Sequence, residues 1–372
     1  MVERSSLRYP AMAVGILALA LGVWTGLDRV GWALPVPSSG FLDAHGALMV
    51  NGVLATLIGL ERAVALERRG LFAGPLLTGA GSVLFALGLP WDPGVLLLTA
   101  GSAVIVGMFL IILSRQPAVH TTAQLLGAVS LLVGNLLWWS GLDVPYVIPW
   151  WGSFLVLVIV AERLELTRVL PISRARRLLL IAMVALDLIA CAVGLRSFAL
   201  GTELLAVSWV GMAAWLLVHD VARRNLSRPG VPRFTAVSLL SGHLWLLAGG
   251  LLILAYGGIL PDTLVYDAQL HAVFLGFVLS MVFAHATIIV PAVLGRPVPF
   301  HRFFYAPLVV LDLSVGARVG ADLLGLQSVR AWASLFNVVA IVGFGISLLL
   351  AVALERSVVG RAFGVDSSAF YP

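Results

Sequence analysis

Gly94-Val95-Leu96-Leu97-Leu98-Thr99-Ala100-Gly101-Ser102-Ala103-Val104-Ile105-Val106-Gly107-Met108-Phe109-Leu110-Ile111-Ile112-Leu113-Ser114 runs for 21 residues without a charge. A helix that crosses a bilayer needs about 20 predominantly apolar residues, whereas a barrel strand needs only about 10 and alternates. The segment therefore reads as one transmembrane helix. Eleven similar runs flank it, near 10–27, 42–66, 72–89, 120–141, 146–168, 177–195, 200–220, 234–257, 266–293, 304–325 and 331–354. Gly, Pro and Arg punctuate them, as in Leu89-Pro90-Trp91-Asp92-Pro93-Gly94 and Arg228-Pro229-Gly230. The expected fold is an all-α polytopic membrane protein of about twelve spans, forming one integral membrane domain over 1–372. The first run has no small-residue cleavage site and eleven spans follow it, so it reads as a retained span rather than a signal peptide.

Composition agrees. The 372-residue chain is 60% apolar and 11% charged, with a mean hydropathy of +1.05. A soluble domain carries about 25% charged residues, so a soluble enzyme, a disordered chain and a nucleic-acid binder are excluded together, and the expected partner is the lipid bilayer. The single cysteine, Cys191, excludes an internal disulfide, a Cys-rich zinc or iron–sulfur site and a CxxCH haem attachment. The net charge of +5 falls in short Arg clusters between the runs. The even connections hold Arg68 and Arg69; Arg115; Arg168, Arg174, Arg176 and Arg177; Arg223, Arg224, Arg228 and Arg233; and Arg296 and Arg302. The odd connections lean acidic, with Asp92, Asp143, Asp262 and Asp267, while Arg4 and Arg8 precede the first span and Arg356 and Arg361 follow the last. By the positive-inside rule both termini are cytoplasmic, in the inner (plasma) membrane of a prokaryote.

A faint repeat is present. Leu60-Glu61-Arg62-Ala63 closes span 2, Ala161-Glu162-Arg163-Leu164 closes span 6, and span 10 ends in Phe283-Ala284-His285-Ala286. Three four-helix units about an axis along the membrane normal would produce this spacing.

Ionisable groups inside spans are costly and mark functional candidates. His45 and His271 lie a few residues inside the outer ends of spans 2 and 10, at matched depth. Such a pair can ligate a haem on both faces; alternatively, each ring bonds a carbonyl in the wet interface. His243 and His285 lie in the inner half, with Glu61 and Glu162 near the same level. They can form a second metal site or a proton path, while the Glu–Arg dipeptides can equally be interhelical ion pairs. His120, His219 and His301 read as solvated interface residues. Asp187, Asp312 and Arg318 fall within spans 7 and 11; Arg318 can meet an acidic cofactor edge such as a haem propionate, or pair with Asp312 or Asp322 on its own helix. Trp138, Trp139, Trp150 and Trp151 read as an outer aromatic belt.

Twelve spans, cytoplasmic termini, the threefold repeat and one His each on spans 2 and 10 resemble subunit I of the haem–copper oxidases, whose corresponding helices hold a low-spin haem between two His ligands. The stretches Asp43-Ala44-His45-Gly46-Ala47-Leu48-Met49-Val50-Asn51-Gly52 and His271-Ala272-Val273-Phe274-Leu275-Gly276-Phe277 are similar to the NnrS family, haem- and copper-containing membrane proteins associated with denitrification and nitric oxide stress. The chain departs from the oxidases where span 10 reads Gln269-Leu270-His271 in place of His-x-His, and where span 6 offers Glu162 and span 7 Asp187 in place of copper-binding His. The resemblance implies a haem b held by His45 and His271, for which Arg318 is the expected propionate partner; a second metal such as copper would have to use His243 and His285, with Glu162 as a further ligand, a set that the oxidase pattern does not supply. It also implies electron transfer or nitric oxide chemistry as a nitric oxide-related or quinol-linked oxidoreductase, a redox partner or quinol on the outer side, and room for a homo-oligomer. The rival expectation is a metal-free transporter or sensor that uses the intramembrane Glu, Arg and His as a proton or substrate path.

Overall fold

Lipid offers no partner to a backbone N–H or C=O, so long apolar runs close their hydrogen bonds internally as helices. A computed structural model describes residues 6–37, 41–88, 91–167, 170, 172–294 and 298–363, and no strand occurs among them. Arg4, Arg168 and Arg296 of the basic clusters lie outside the described residues. The long helices are α1 (Arg8–Leu27), α2 (Leu42–Leu66), α3 (Ala73–Ala86), α4 (Trp91–Arg115), α5 (Val119–Trp139) and α6 (Val144–Leu166). They continue as α7 (Arg174–Gly194), α8 (Phe198–His219), α9 (Val231–Ala255), α10 (Leu264–Pro291), α11 (Tyr305–Leu324) and α12 (Gln327–Leu354).

Eleven of these are long and apolar enough to cross a membrane, and the chain is a multi-pass membrane protein. The exception is α3, with 14 residues where the sequence run is longer. It still returns antiparallel between α2 and α4. The Thr56 and Thr78 hydroxyls meet at 3.0 Å and the Ser82 hydroxyl donates to the Ala47 carbonyl at 3.3 Å. Glycines permit this closeness: a Cβ on Gly81 would stand 2.6 Å from the Gly94 carbonyl oxygen, and one on Gly101 2.7 Å from the Thr78 nitrogen. Small residues let membrane helices approach to backbone contact, where packing replaces the missing hydrophobic drive.

The far end of α1 is tied to the start of α12. After α1 the chain continues through a wide turn at Asp28–Trp32, with Gly31 at φ 100°. The Trp32 indole then donates to the Ala331 carbonyl and the Gln327 amide to the Val30 carbonyl. The start of α1 and the end of α12 therefore leave the bundle on one face.

The centre of the bundle is α6, where every residue from Trp151 to Ala161 is buried. Here the aromatic-belt expectation fails in part. Trp151 is fully buried and Trp138 nearly so, while Trp139 is 44% exposed. A buried Trp usually gives its N–H to an acceptor, and Trp151 donates to the Asn135 side chain at 2.9 Å. Asn135 in turn donates to the Asn51 side-chain oxygen at 2.9 Å, which joins α2, α5 and α6 through one polar knot.

Candidate functional site: a histidine cavity and a buried charge network

His45 stands in the first turns of α2 and His271 two turns into α10. Thr263 caps α10 by accepting from the Tyr266 N–H at 3.1 Å. The cap starts the helix two residues before the sequence run and draws Asp267 into its first turn, where an acidic group is favoured by the helix dipole. The two imidazoles come together with ring centroids 6.2 Å apart and planes tilted by 33°. Beyond each histidine the helix widens to i→i+5 bonding, over Leu48–Ala55 in α2 and Ala272–Leu279 in α10. Such widened turns cluster at functional sites, and here they follow both members of one pair.

The partners of each ring settle which nitrogen is free. His45 Nδ1 lies 2.9 Å from the Gly22 carbonyl oxygen and 3.2 Å from the Thr25 hydroxyl on α1. His271 Nδ1 lies 2.9 Å from the Asp267 carbonyl oxygen and 3.2 Å from its carboxylate. A carbonyl only accepts, so each Nδ1 carries the proton and each Nε2 presents its lone pair. No hydrogen bond reaches either Nε2 among the described residues. Gly26 makes room for His45, because a Cβ there would stand 2.8 Å from the ring carbon Cε1.

Both rings line a cavity of about 960 Å³ that also meets Arg29, Tyr146, Tyr266 and Arg330. Arg318 is not among its lining residues. Its guanidinium grips Asp267, which does line the cavity, through Nε at 2.9 Å and Nη2 at 3.1 Å, in place of the expected Asp312 or Asp322. Asp312 instead accepts from Ser241 and the Trp245 indole on α9. Arg330 reaches Asp322 at 2.7 Å and Asp267 at 3.5 Å. Sequence reasoning passed over Asp267 as a loop acid, although its place four residues before His271 puts both on one helix face. Arg29 and Arg330 carried no signal of their own, being helix-end arginines like many others here.

The opposite end of these spans gathers the three repeated positions. Arg62 of α2 pairs with Glu162 of α6, and Arg163 of α6 donates to His285 Nε2 of α10 at 2.7 Å. His285 Nδ1 lies 2.7 Å from the Met281 carbonyl oxygen, so the lone pair of this ring is taken up by Arg163. Glu162 stands 3.8 Å from the same Nε2. His243 is fully buried with both ring nitrogens unpartnered, and Asp220 lies 3.7 Å from its Nε2.

The expected two-histidine metal site does not form as one group. Gly242 packs against Met281 while Thr235 reaches Ala284, so His285 stands about two turns from the level of His243. His285 turns to Arg163 and Glu162, and His243 to Asp220. No cluster of three or more His, Cys, Asp or Glu suited to a metal occurs among the described residues. His120 also departs from expectation: it is buried, not solvated, and its Nε2 lies 3.7 Å from Glu165 across α5 and α6. His219 bonds the Trp215 carbonyl and His301 stacks on Phe303. Asp187, fully buried, accepts from the Trp209 indole at 2.9 Å.

Residues 8–354 match the model of a family described as a domain of unknown function, DUF8744. No curated protein matches the chain.

Proposed function

The chain belongs to the DUF8744 family, and we propose that it is a haem-binding membrane protein that moves electrons through a low-spin haem b held by His45 and His271. The observation that carries this reading is the spacing of the two rings. A metal bound between two imidazoles takes about 2 Å to each nitrogen. Each nitrogen is about 1 Å from its own ring centre, so the centroids of such a pair stand about 6 Å apart; here the separation is 6.2 Å. The anchored Nδ1 atoms supply a second reason, since ligating imidazoles hold their tautomer and direction by giving the other N–H to an acceptor.

A haem in this seat supplies one-electron chemistry. The chain's part is to fix the tautomer of each ring and leave its Nε2 lone pair available, through Gly22 and Thr25 behind His45 and Asp267 behind His271. Arg29 and Arg330 bring positive charge to the cavity, which suits the carboxylates at a haem edge better than Arg318, already bound to Asp267. The nitric oxide and denitrification part of the reading rests on the likeness of the two histidine stretches to NnrS, and the oxidase-like arrangement on the repeat. The same reading makes this an inner-membrane protein of a prokaryote with cytoplasmic termini, taking electrons from a quinol or redox partner on the outer side. Copper is not part of it, because Arg163 occupies the lone pair of His285.

The test is a visible spectrum of purified protein, with sharp low-spin α and β bands expected. His45→Ala and His271→Ala should each lose most of the haem while still inserting, and His301→Ala should keep it. A colourless wild-type protein, supplied with haem during expression, overturns the reading. It would favour the second one, a metal-free transporter or sensor, for which the linked inner pairs Arg62–Glu162 and Arg163–His285 speak.

A further inference from the structure

We propose that Asp267 is a positioning residue that sets the reduction potential of the haem site through His271; this rests on the haem reading above. The two axial imidazoles are backed by groups of different charge. Behind His45 Nδ1 stand a carbonyl and a hydroxyl, both neutral. Behind His271 Nδ1 stands a carboxylate at 3.2 Å, in addition to the backbone oxygen of the same residue. A carboxylate that accepts from Nδ1 pulls the N–H bond outward and pushes electron density toward Nε2, which makes the ring a stronger donor to a metal. A stronger donor stabilises the oxidised iron over the reduced iron, because the oxidised ion carries one more positive charge. No proton leaves Nδ1 in this account. One electron enters from the reductant, and the carboxylate makes that entry less favourable.

The carboxylate is held in place for this role. Arg318 from α11 binds it at two points and Arg330 from α12 approaches to 3.5 Å, so its direction does not depend on α10 alone. Asp267 is 17% exposed and Arg318 8%, which limits competition from water. Asp312 provides the comparison. Its carboxylate accepts from the Ser241 hydroxyl and the Trp245 indole on α9, and no contact joins it to Asp267 or His271 among the described residues.

The experiment is a potentiometric titration of the haem-loaded protein with dithionite, together with low-temperature electron paramagnetic resonance of the oxidised form. Asp267→Asn should retain the low-spin haem, favour reduction at least tenfold, which is 59 mV for one electron, and change the spread of g values. Asp312→Asn removes a carboxylate that touches neither Asp267 nor His271 and should leave the g values as they are. Equal potentials and equal g values in wild type and Asp267→Asn would overturn the proposal and reduce Asp267 to a clamp between helices. If Asp267→Asn loses its haem, Arg318→Gln decides. That variant keeps the carboxylate and removes a cation facing it, so the potential should fall, and an unchanged or higher potential overturns the proposal. Wild-type protein without haem overturns the haem reading and this inference with it, whereas haem-loaded variants with unmoved potentials overturn the inference alone.

Discussion

At the scale of single residues the histidine cavity depends on what stands behind each ring. Gly26 illustrates this without touching any ligand. Its missing side chain is what lets the His45 ring lie against α1, since a Cβ would come within 2.8 Å of Cε1 while Nδ1 is fixed on Gly22. Gly26→Ala should therefore tilt or displace the ring. Losses of supporting groups around a metal ligand cost about 10–100-fold in affinity, and a loss of that order in haem affinity is expected, read by titrating haem into the apo-protein. Haem affinity equal to wild type would show that His45 tolerates the displacement or does not ligate. The partner of Arg318 teaches the complementary lesson. On its own helix Arg318 has Asp322 one turn away, yet it binds Asp267 51 positions earlier in the chain. A guanidinium follows the acceptor that packing delivers, and nothing in the local sequence announces which acceptor that is.

At the scale of elements, the helices were legible because apolar length alone decides them in lipid. How closely they pack is decided by glycines whose effect depends on the neighbour. Gly201 near the start of α8 lies directly on Gly194 at the end of α7, where a Cβ would stand 2.3 Å from the Gly194 Cα. The contact is backbone to backbone, so no side chain can swing aside. Gly201→Ala should separate this hairpin and cost about 1–3 kcal/mol, the range for overpacking. Gly107→Ala, in α4 with open space around it, should leave the melting temperature unchanged or raise it. Thermal unfolding in detergent compares the two, and equal melting temperatures would show that the α7–α8 contact is not under constraint. The short α3 and the widened turns after His45 and His271 belong to this scale as well. Hydropathy cannot register either, because both change hydrogen-bond spacing and not the apolar content.

At the scale of the whole molecule, spans 2, 6 and 10 converge, and their repeated polar positions hand over from one to the next. Arg62 of α2 reaches Glu162 of α6, and Arg163 of α6 reaches His285 of α10. These side chains are mostly buried, with Arg62 16% and Glu162 21% exposed. Removing one member of a fully buried pair costs about 3–5 kcal/mol because the other charge is left unpaired; partial exposure of both reduces that here. Arg62→Leu alone should lower the melting temperature clearly, and Arg62→Leu with Glu162→Leu should recover most of the loss. A double variant no more stable than the single one would mean that the pair contributes no coupling.

By itself the sequence determined the class of the molecule, the long helices, their order and, Asp267 excepted, the helix on which each candidate ionisable group sits. Each of these follows from local chemistry, namely the length of an apolar run and the cost of an unpaired backbone group in lipid. The depth match of His45 and His271 was also legible, since residues can be counted from a span's end. Only the tertiary structure decided that the two rings meet at 6.2 Å, that Asp267 backs His271, that Arg163 engages His285, and that His120 and Trp151 are buried. These partners lie on different helices, far apart in the chain. Which helices adjoin, and in what register, is set by small residues such as Gly81, Gly101 and Gly201 fitting against particular neighbours. A pattern of hydropathy is the same whichever neighbour is chosen, so that choice is made by shape and by the pairing of buried charges in three dimensions.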